Sequence, residues 1–196
     1  MSRLLLRPPA EADEAVCRRY HEELEAEGFQ FLLAAGTWEE ILATVRREAA
    51  GADLPPGRVR AEYLLGEVDG EVVGRVSIRY ALTDWLRDFG GNVGYAVAPE
   101  HRRRGYATQM LAQAVQRLAA DGVDRVLVTC ADTNLASAAT IEACGGVLED
   151  VRAPEGSEPR RRYWIDARSA AHGATDASGP STPPVPPRSF SSRGAR

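Results

Sequence analysis

Arg102, Arg103 and Arg104 stand directly before Gly105-Tyr106-Ala107-Thr108 and shortly after an extended run, Val93 to Ala98, that Pro99 stops. Proline carries no amide hydrogen for a sheet ladder, so the run ends there. Beyond Gly105, residues Ala107, Met110, Leu111, Ala114, Val115 and Leu118 recur at helical spacing, which starts a helix near Gly105. A strand, a tight loop and a helix N-terminus in succession make an anion site, because the first helical turn leaves amides unpaired and carries about half a positive charge. The small residues Gly105 and Ala107 would let a pyrophosphate approach the backbone. Guanidinium forks match phosphate geometry. An arginine cluster alone reads as solvated surface; its place at a helix start favours the phosphate reading.

Other polar residues carry weaker signals. Asn134 opens a second helix and is a good N-cap by type. Tyr95, Tyr106, Cys144, Glu67, Asp84 and Asp88 are candidates by residue chemistry. Asp84 and Asp88 precede the extended run, where an amine could dock, although most loop acids are merely solvated. Cys144 reads as a small core residue, Tyr106 as a locally packed one, and His101 as exposed. Cys17, Cys130 and Cys144 are odd in number and lack metal-ligand spacing, so reduced thiols and no metal centre are expected.

Composition limits the function classes. The 196 residues are 44% hydrophobic with net charge −4, which suits one soluble domain and gives no electrostatic case for nucleic acid. All 24 basic residues are arginine, so no lysine can serve as nucleophile or base. No apolar signal segment or membrane-length span stands out, and a cytoplasmic protein is the default.

The elements that must position these groups follow in order. A short strand Leu4 to Arg7 ends at Pro8-Pro9, and an amphipathic helix runs from Ala10 to Ala26. Thr37-Trp38-Glu39-Glu40 fits the reciprocal cap of a second helix. Val59–Val68 and Glu71–Tyr80 are strands joined at Asp69-Gly70, a hairpin signal. Ala81 to Gly91 reads as an apolar-rich loop. Helix, strand (Arg125 to Cys130), helix (Asn134 to Cys144) and two last strands follow, Val147–Val151 and Arg161–Ile165, linked by the polar segment 152–159. That order gives an α/β domain with a mixed sheet over residues 1–168. Residues 169–196, with five prolines between Pro180 and Pro187, read as a disordered tail.

The pattern Arg102-x-x-Gly105-x-Ala107 after a strand, with Asn134 downstream, resembles the acetyl-CoA signature of the GNAT N-acetyltransferase superfamily. The likeness spans Leu4 to Asp166. Gly145-Gly146-Val147-Leu148-Glu149 with Arg161-Arg162-Tyr163-Trp164-Ile165 is similar to a branch of predicted GNAT acetyltransferases whose substrates are unassigned. The resemblance implies a mostly antiparallel sheet flanked by helices and splayed between the strands ending near Ala98 and Cys130. It implies acetyl-CoA as co-substrate, held by Arg102, the amides of Arg103, Arg104, Gly105, Tyr106, Ala107 and Thr108, and the pantetheine contacts Tyr95, Ala96, Val97, Asn134 and Ser137. One amide near Val97 would polarise the thioester carbonyl. An unidentified amine would attack directly; family members are often dimers. A non-catalytic acyl-CoA-binding module of the same fold is the alternative.

Two departures bear on mechanism. Where the family often carries a tyrosine acid, this chain has Ile141; where some members place a glutamate base, it has Thr129. The catalytic acid and base are therefore unassigned. Deprotonating a lysine-type amine at pH 7 costs about 4.6 kcal/mol, an α-amine only about 1 to 1.4 kcal/mol. A weakly basic acceptor, or deprotonation through water, is the expectation.

Overall fold

The computed structural model describes residues 3–153 and 158–168. The tail expected to be disordered lies outside the described residues, as does part of the link between the last two strands. One seven-stranded sheet organises the rest: β1 (Leu5–Arg7), β2 (Ala61–Val68), β3 (Glu71–Arg79), β4 (Val93–Val97), β5 (Arg125–Ala131), β6 (Val147–Arg152) and β7 (Arg160–Asp166), in the order β1-β2-β3-β4-β5-β7-β6. Every neighbouring pair is antiparallel except β4 with β5.

Helices α1 (Glu14–Glu25) and α2 (Trp38–Ala50) cover one face; α3 (Tyr106–Ala120) and α4 (Leu135–Ala143) cover the other. The α1/α2 face packs Tyr20, Leu24, Phe31, Trp38, Ile41 and Leu42 against Tyr63, Leu65 and Ala96. Across the sheet, Met110, Leu111, Val115 and Leu118 of α3 meet Val76, Ile78, Val93 and Val128. The alternation along β4 sends Val93, Tyr95 and Val97 towards α3 and α4, and Ala96 towards α1 and α2. That alternation decides which side chains can reach a ligand from each side.

Local signals explain the ends of the elements. Thr37 Oγ1 accepts from the Glu40 amide at 3.3 Å while Glu40 Oε2 accepts from the Thr37 amide at 2.8 Å, the reciprocal cap expected for α2. Asp69 and Gly70 both take positive φ, 52° and 83°, as the tight β2–β3 hairpin demands. The segment expected to be a plain loop, Ala81 to Gly91, contains a π-helical turn, Leu86–Gly90, with Leu86 buried beneath it. Its short length and mixed apolar residues gave no period to read. Glu67, a candidate by residue chemistry, accepts from Arg7 Nε at 2.5 Å, and Arg7 also bonds Asp13 at 2.7 Å.

Met110 nests against two backbones that lack side chains. A Cβ on Gly74 would sit 2.5 Å from the Ala96 carbonyl and 3.0 Å from Met110 Cε. Gly74→Ala should therefore destabilise the fold by about 1–3 kcal/mol, read from the urea midpoint. The Arg7 hydrogen bonds hold the Asp13 carboxyl below its usual range. A depressed folded pKa means stability present above the unfolded value and lost as pH falls through the folded one. Asp13→Asn should cost stability at neutral pH, and its deficit against the parent should shrink in titrations below about pH 4.

Candidate functional site

The helix start is a tight turn that leaves backbone amides unpaired. Pro99–His101 form one 3₁₀ turn after β4, and Arg103 and Gly105 then adopt positive φ, 63° and 77°. Gly105 is the N-cap of α3, and no heavy atom lies within 4 Å of where its Cβ would be. Gly105 is therefore needed for its conformation, and the space beside it is open. The helical ladder begins with the Gln109 amide bonding the Gly105 carbonyl at 3.1 Å. The amides of Tyr106, Ala107 and Thr108 precede that ladder and point out of the helix end.

The three arginines divide their roles. Arg102 grips the Glu27 carboxylate with both terminal nitrogens, at 2.6 and 3.2 Å, tying the loop to the turn that follows α1. Arg104 donates to the Glu100 carbonyl at 3.2 Å. Arg103 is exposed in its left-handed backbone conformation, a strained placement for a non-glycine residue. His101 corrects an expectation. It is buried at 4% exposure between Tyr20 and Tyr106, because the 3₁₀ turn folds its ring inward beneath the loop.

Strand β4 meets β5 at one register, Val93 opposite Val128. Asn92 secures this junction. Its amide donates to the Leu127 carbonyl at 2.7 Å, and its Oδ1 accepts from the Leu127 amide at 2.8 Å. Its Nδ2 donates to the Arg79 carbonyl at 2.9 Å. One buried side chain thus joins β3, β4 and β5. Sequence reading passed over Asn92, although an Asn beside two glycines at a strand start was a usable sign of a backbone-satisfying residue. Gly91 makes the approach possible: a Cβ there would stand 2.6 Å from the Leu127 carbonyl.

Tyr95, Asn134 and Ser137 come together on the α4 side of β4. Asn134 caps α4, its Oδ1 accepting from the Ser137 amide at 3.0 Å. The Tyr95 hydroxyl and Ser137 Oγ are 2.8 Å apart, and the same hydroxyl donates to the Ser137 carbonyl at 3.3 Å. Burial pushes the Tyr95 phenol up to about 12, so it is neutral at physiological pH. Ile141 is fully buried in the core beneath α4. Thr129 donates from Oγ1 to the Phe89 carbonyl at 2.5 Å. Asp88 ion-pairs with Arg152, while Asp84 is exposed. Cys144 is half-buried against the Thr108 carbonyl at 3.6 Å, and the three cysteines are free thiols.

A family model described as acetyltransferase (GNAT) domain matches residues 3–147. The chain belongs to the GNAT acetyltransferase family. It is an acyltransferase by that membership, with the mixed sheet typical of the family. No curated protein matches by sequence. Among solved structures, Mycobacterium smegmatis RimJ in complex with CoA-disulfide is 23% identical, with a TM-score of 0.66 and 86% of each chain covered. Spermidine N-acetyltransferase from Vibrio cholerae, in complex with CoA and spermine, is 15% identical at a TM-score of 0.62, covering 86% of this chain and 98% of that one. The yncA protein of Salmonella typhimurium, with its cofactor acetyl-CoA, is 16% identical at 0.60, covering 84% and 94%. These likenesses establish the shared fold.

Among the described residues no group of three or more His, Cys, Asp or Glu is arranged to hold a metal, and no helix is long and apolar enough to cross a membrane. The junction gives a direct test. Asn92→Ala would leave the Leu127 amide and the Arg79 carbonyl unpaired in a buried setting, at about 1–3 kcal/mol for each. The expected loss is several kcal/mol in chemical denaturation.

Proposed function

We propose that this protein is an acetyl-CoA-dependent N-acetyltransferase in which an acceptor amine attacks the thioester directly. The observation that carries the reading is the opening of α3. Gly105 holds a left-handed N-cap over open space, with three amides ahead of the helical ladder, where β4 has left its single pairing with β5. The amides from Arg103 to Thr108 would hold the pyrophosphate. Arg103 and Arg104 would add charge at the mouth, and Arg102 would act chiefly by fixing the loop through Glu27.

The pantetheine arm would lie along Tyr95, Ala96 and Val97, bonded as an added strand. Asn134 and Ser137 would border it from α4. The amide near Val97 would polarise the thioester carbonyl. As the N–C bond forms and the C–S bond breaks, the sulfur must accept charge. A Tyr95 phenol at about 12 cannot hand its proton outright to a thiolate of ordinary pKa near 8.5, since transfer would run uphill by about 5 kcal/mol. The Tyr95–Ser137 hydroxyl pair would instead donate a hydrogen bond to the leaving sulfur. The proton released by the new N-acyl centre would neutralise it through water. This scheme needs neither a tyrosine at Ile141 nor a glutamate at Thr129.

Calorimetric titration with CoA and thiol release from acetyl-CoA with an amine panel test the proposal together. Gly105→Val should weaken CoA binding by about 10- to 100-fold, since a β-branched residue cannot hold that φ without strain. Ser137→Ala should lower kcat by about tenfold, and leave the CoA dissociation constant within about threefold. The rate should rise with pH towards the acceptor's own pKa; an essential base titrating well below 7 would count against direct attack. CoA binding without thiol release on any amine would favour the non-catalytic acyl-CoA-binding module.

A further inference from the structure

A cavity of about 390 Å³ opens on the α1/α2 face of the sheet, opposite the α3/α4 side, lined by Tyr63, Ser77 and Arg79 with Glu48, Arg58 and Trp85 at its walls. Ser77 stands opposite Gly94 in the β3–β4 register, so the cavity floor is one strand from the proposed thioester path. Ser77 and Arg79 line the cavity, and Arg75 lies behind them, where all three approach Gly94. The position a Cβ would take on Gly94 is 3.3 Å from Ser77 Oγ and 3.7 Å from a terminal nitrogen of both Arg75 and Arg79. A Cβ at that place would touch all three, closest to the Ser77 hydroxyl.

Those two guanidinium groups are unusually placed. Arg75 is buried at 8% exposure, and its donors reach carbonyls only: Gly94 at 3.2 Å and Gln30 at 2.5 Å. Its Nε is buried without a partner. Arg79 bonds the Gly90 and Gly91 carbonyls at 3.2 and 3.4 Å. Neither forms an ion pair with a carboxylate among the described residues. Glu48, the acid facing Arg79, is itself 3.7 Å from Arg58, and Glu62 at the rim pairs with Arg117 at 3.2 Å. Buried cations are ordinarily paired, because desolvation without a counter-charge is costly. Burial depresses the pKa of both groups.

We propose that this cavity receives the acceptor and that Arg79, backed by Arg75 and Ser77, seats a carboxylate that the acceptor carries besides its amine. The missing counter-ion is the substrate's. The inference rests on the transferase reading for its amine, and stands independently for its anion. Gly94 and Val97 are about 10 Å apart along β4 at roughly 3.3 Å per residue. An extended amino acid or short peptide, with charge and amine at opposite ends, fits that span. Trp85, exposed at 63% and stacked on Phe89, offers an aromatic face at the mouth for the incoming cation.

The test uses ω-amino acids of increasing chain length, each paired with its own carboxamide, on the full-length protein. Calorimetry in the presence of CoA reads binding, and thiol release from acetyl-CoA reads turnover. The carboxylate member of the best pair should bind at least tenfold more tightly than its amide, and Arg79→Gln should erase that preference. Arg79→Lys should restore part of it. Arg58→Gln, at an exposed position, should weaken carboxylate binding about threefold, and Glu48→Gln should tighten it by a similar factor. Equal binding and equal turnover of acid and amide would overturn the anion seat while leaving the transferase reading intact. A carboxylate preference lost in Arg79→Gln, without thiol release, would uphold the seat and overturn the transferase reading. Preference for the matching aminoalkyl phosphate over the carboxylate would overturn the carboxylate assignment.

Discussion

The structure depends on a parallel strand pair that is closed at one end only. β4 and β5 share a single register, Val93 with Val128, and Asn92 adds its own hydrogen bonds to make that contact secure. Two strands clamped at one end and unpaired beyond it leave backbone donors and acceptors on inner edges. Such groups are costly to bury unpaired, so they favour a ligand able to bond as a strand does. The cost of the open end is carried by the long antiparallel ladders on either side, β2–β3 and β5–β7. Each ladder holds its own half of the sheet together and leaves the junction unclosed.

Strain is concentrated where that open end meets α3. Arg103 and Gly105 take positive φ two residues apart, and the turn is braced from beneath by buried His101 and from outside by the Arg102–Glu27 pair. A loop this short cannot satisfy its own amides, which is why the proposed pyrophosphate site falls there. Bracing by Glu27, just after α1, also ties this turn to the helix that walls the opposite face. The two sides of the proposed active site are therefore coupled through a surface ion pair and a buried ring.

Much of this was legible in the sequence because local chemistry and tertiary role agreed. Pro99, Gly105 and the apolar period of α3 are local signals, and they placed the end of β4 and the start of α3 correctly. The Thr37–Glu40 cap and the Asp69-Gly70 hairpin succeeded for the same reason. What could not be read is side-chain reach across strands. Asn92 is significant only because Leu127 and Arg79 arrive beside it from 35 and 13 residues away. His101 sits in a polar, Arg-rich string, and nothing local announces that a 3₁₀ turn will bury it. Arg75 and Arg79 alternate with Ser77 along a strand, and no local signal tells that α1 and α2 cover their face of the sheet.

The exclusive use of arginine bears on that last group. A guanidinium keeps its charge under burial that would neutralise an ammonium. Burial brings Arg75 from 12.5 down to about 10, which leaves it protonated at pH 7. The same displacement applied to a lysine of ordinary pKa near 10.4 would bring it to roughly 8, within reach of losing its proton. Permanent positive charge buried behind a cavity wall is therefore attainable here with arginine alone. Its planar fork also suits a carboxylate, where a point charge would accept any anion. Residue type, burial and convergence thus agree on one side of the sheet, as glycine, φ and free amides agree on the other. The strand between them, β4, is where an amine from one side and a thioester from the other would meet.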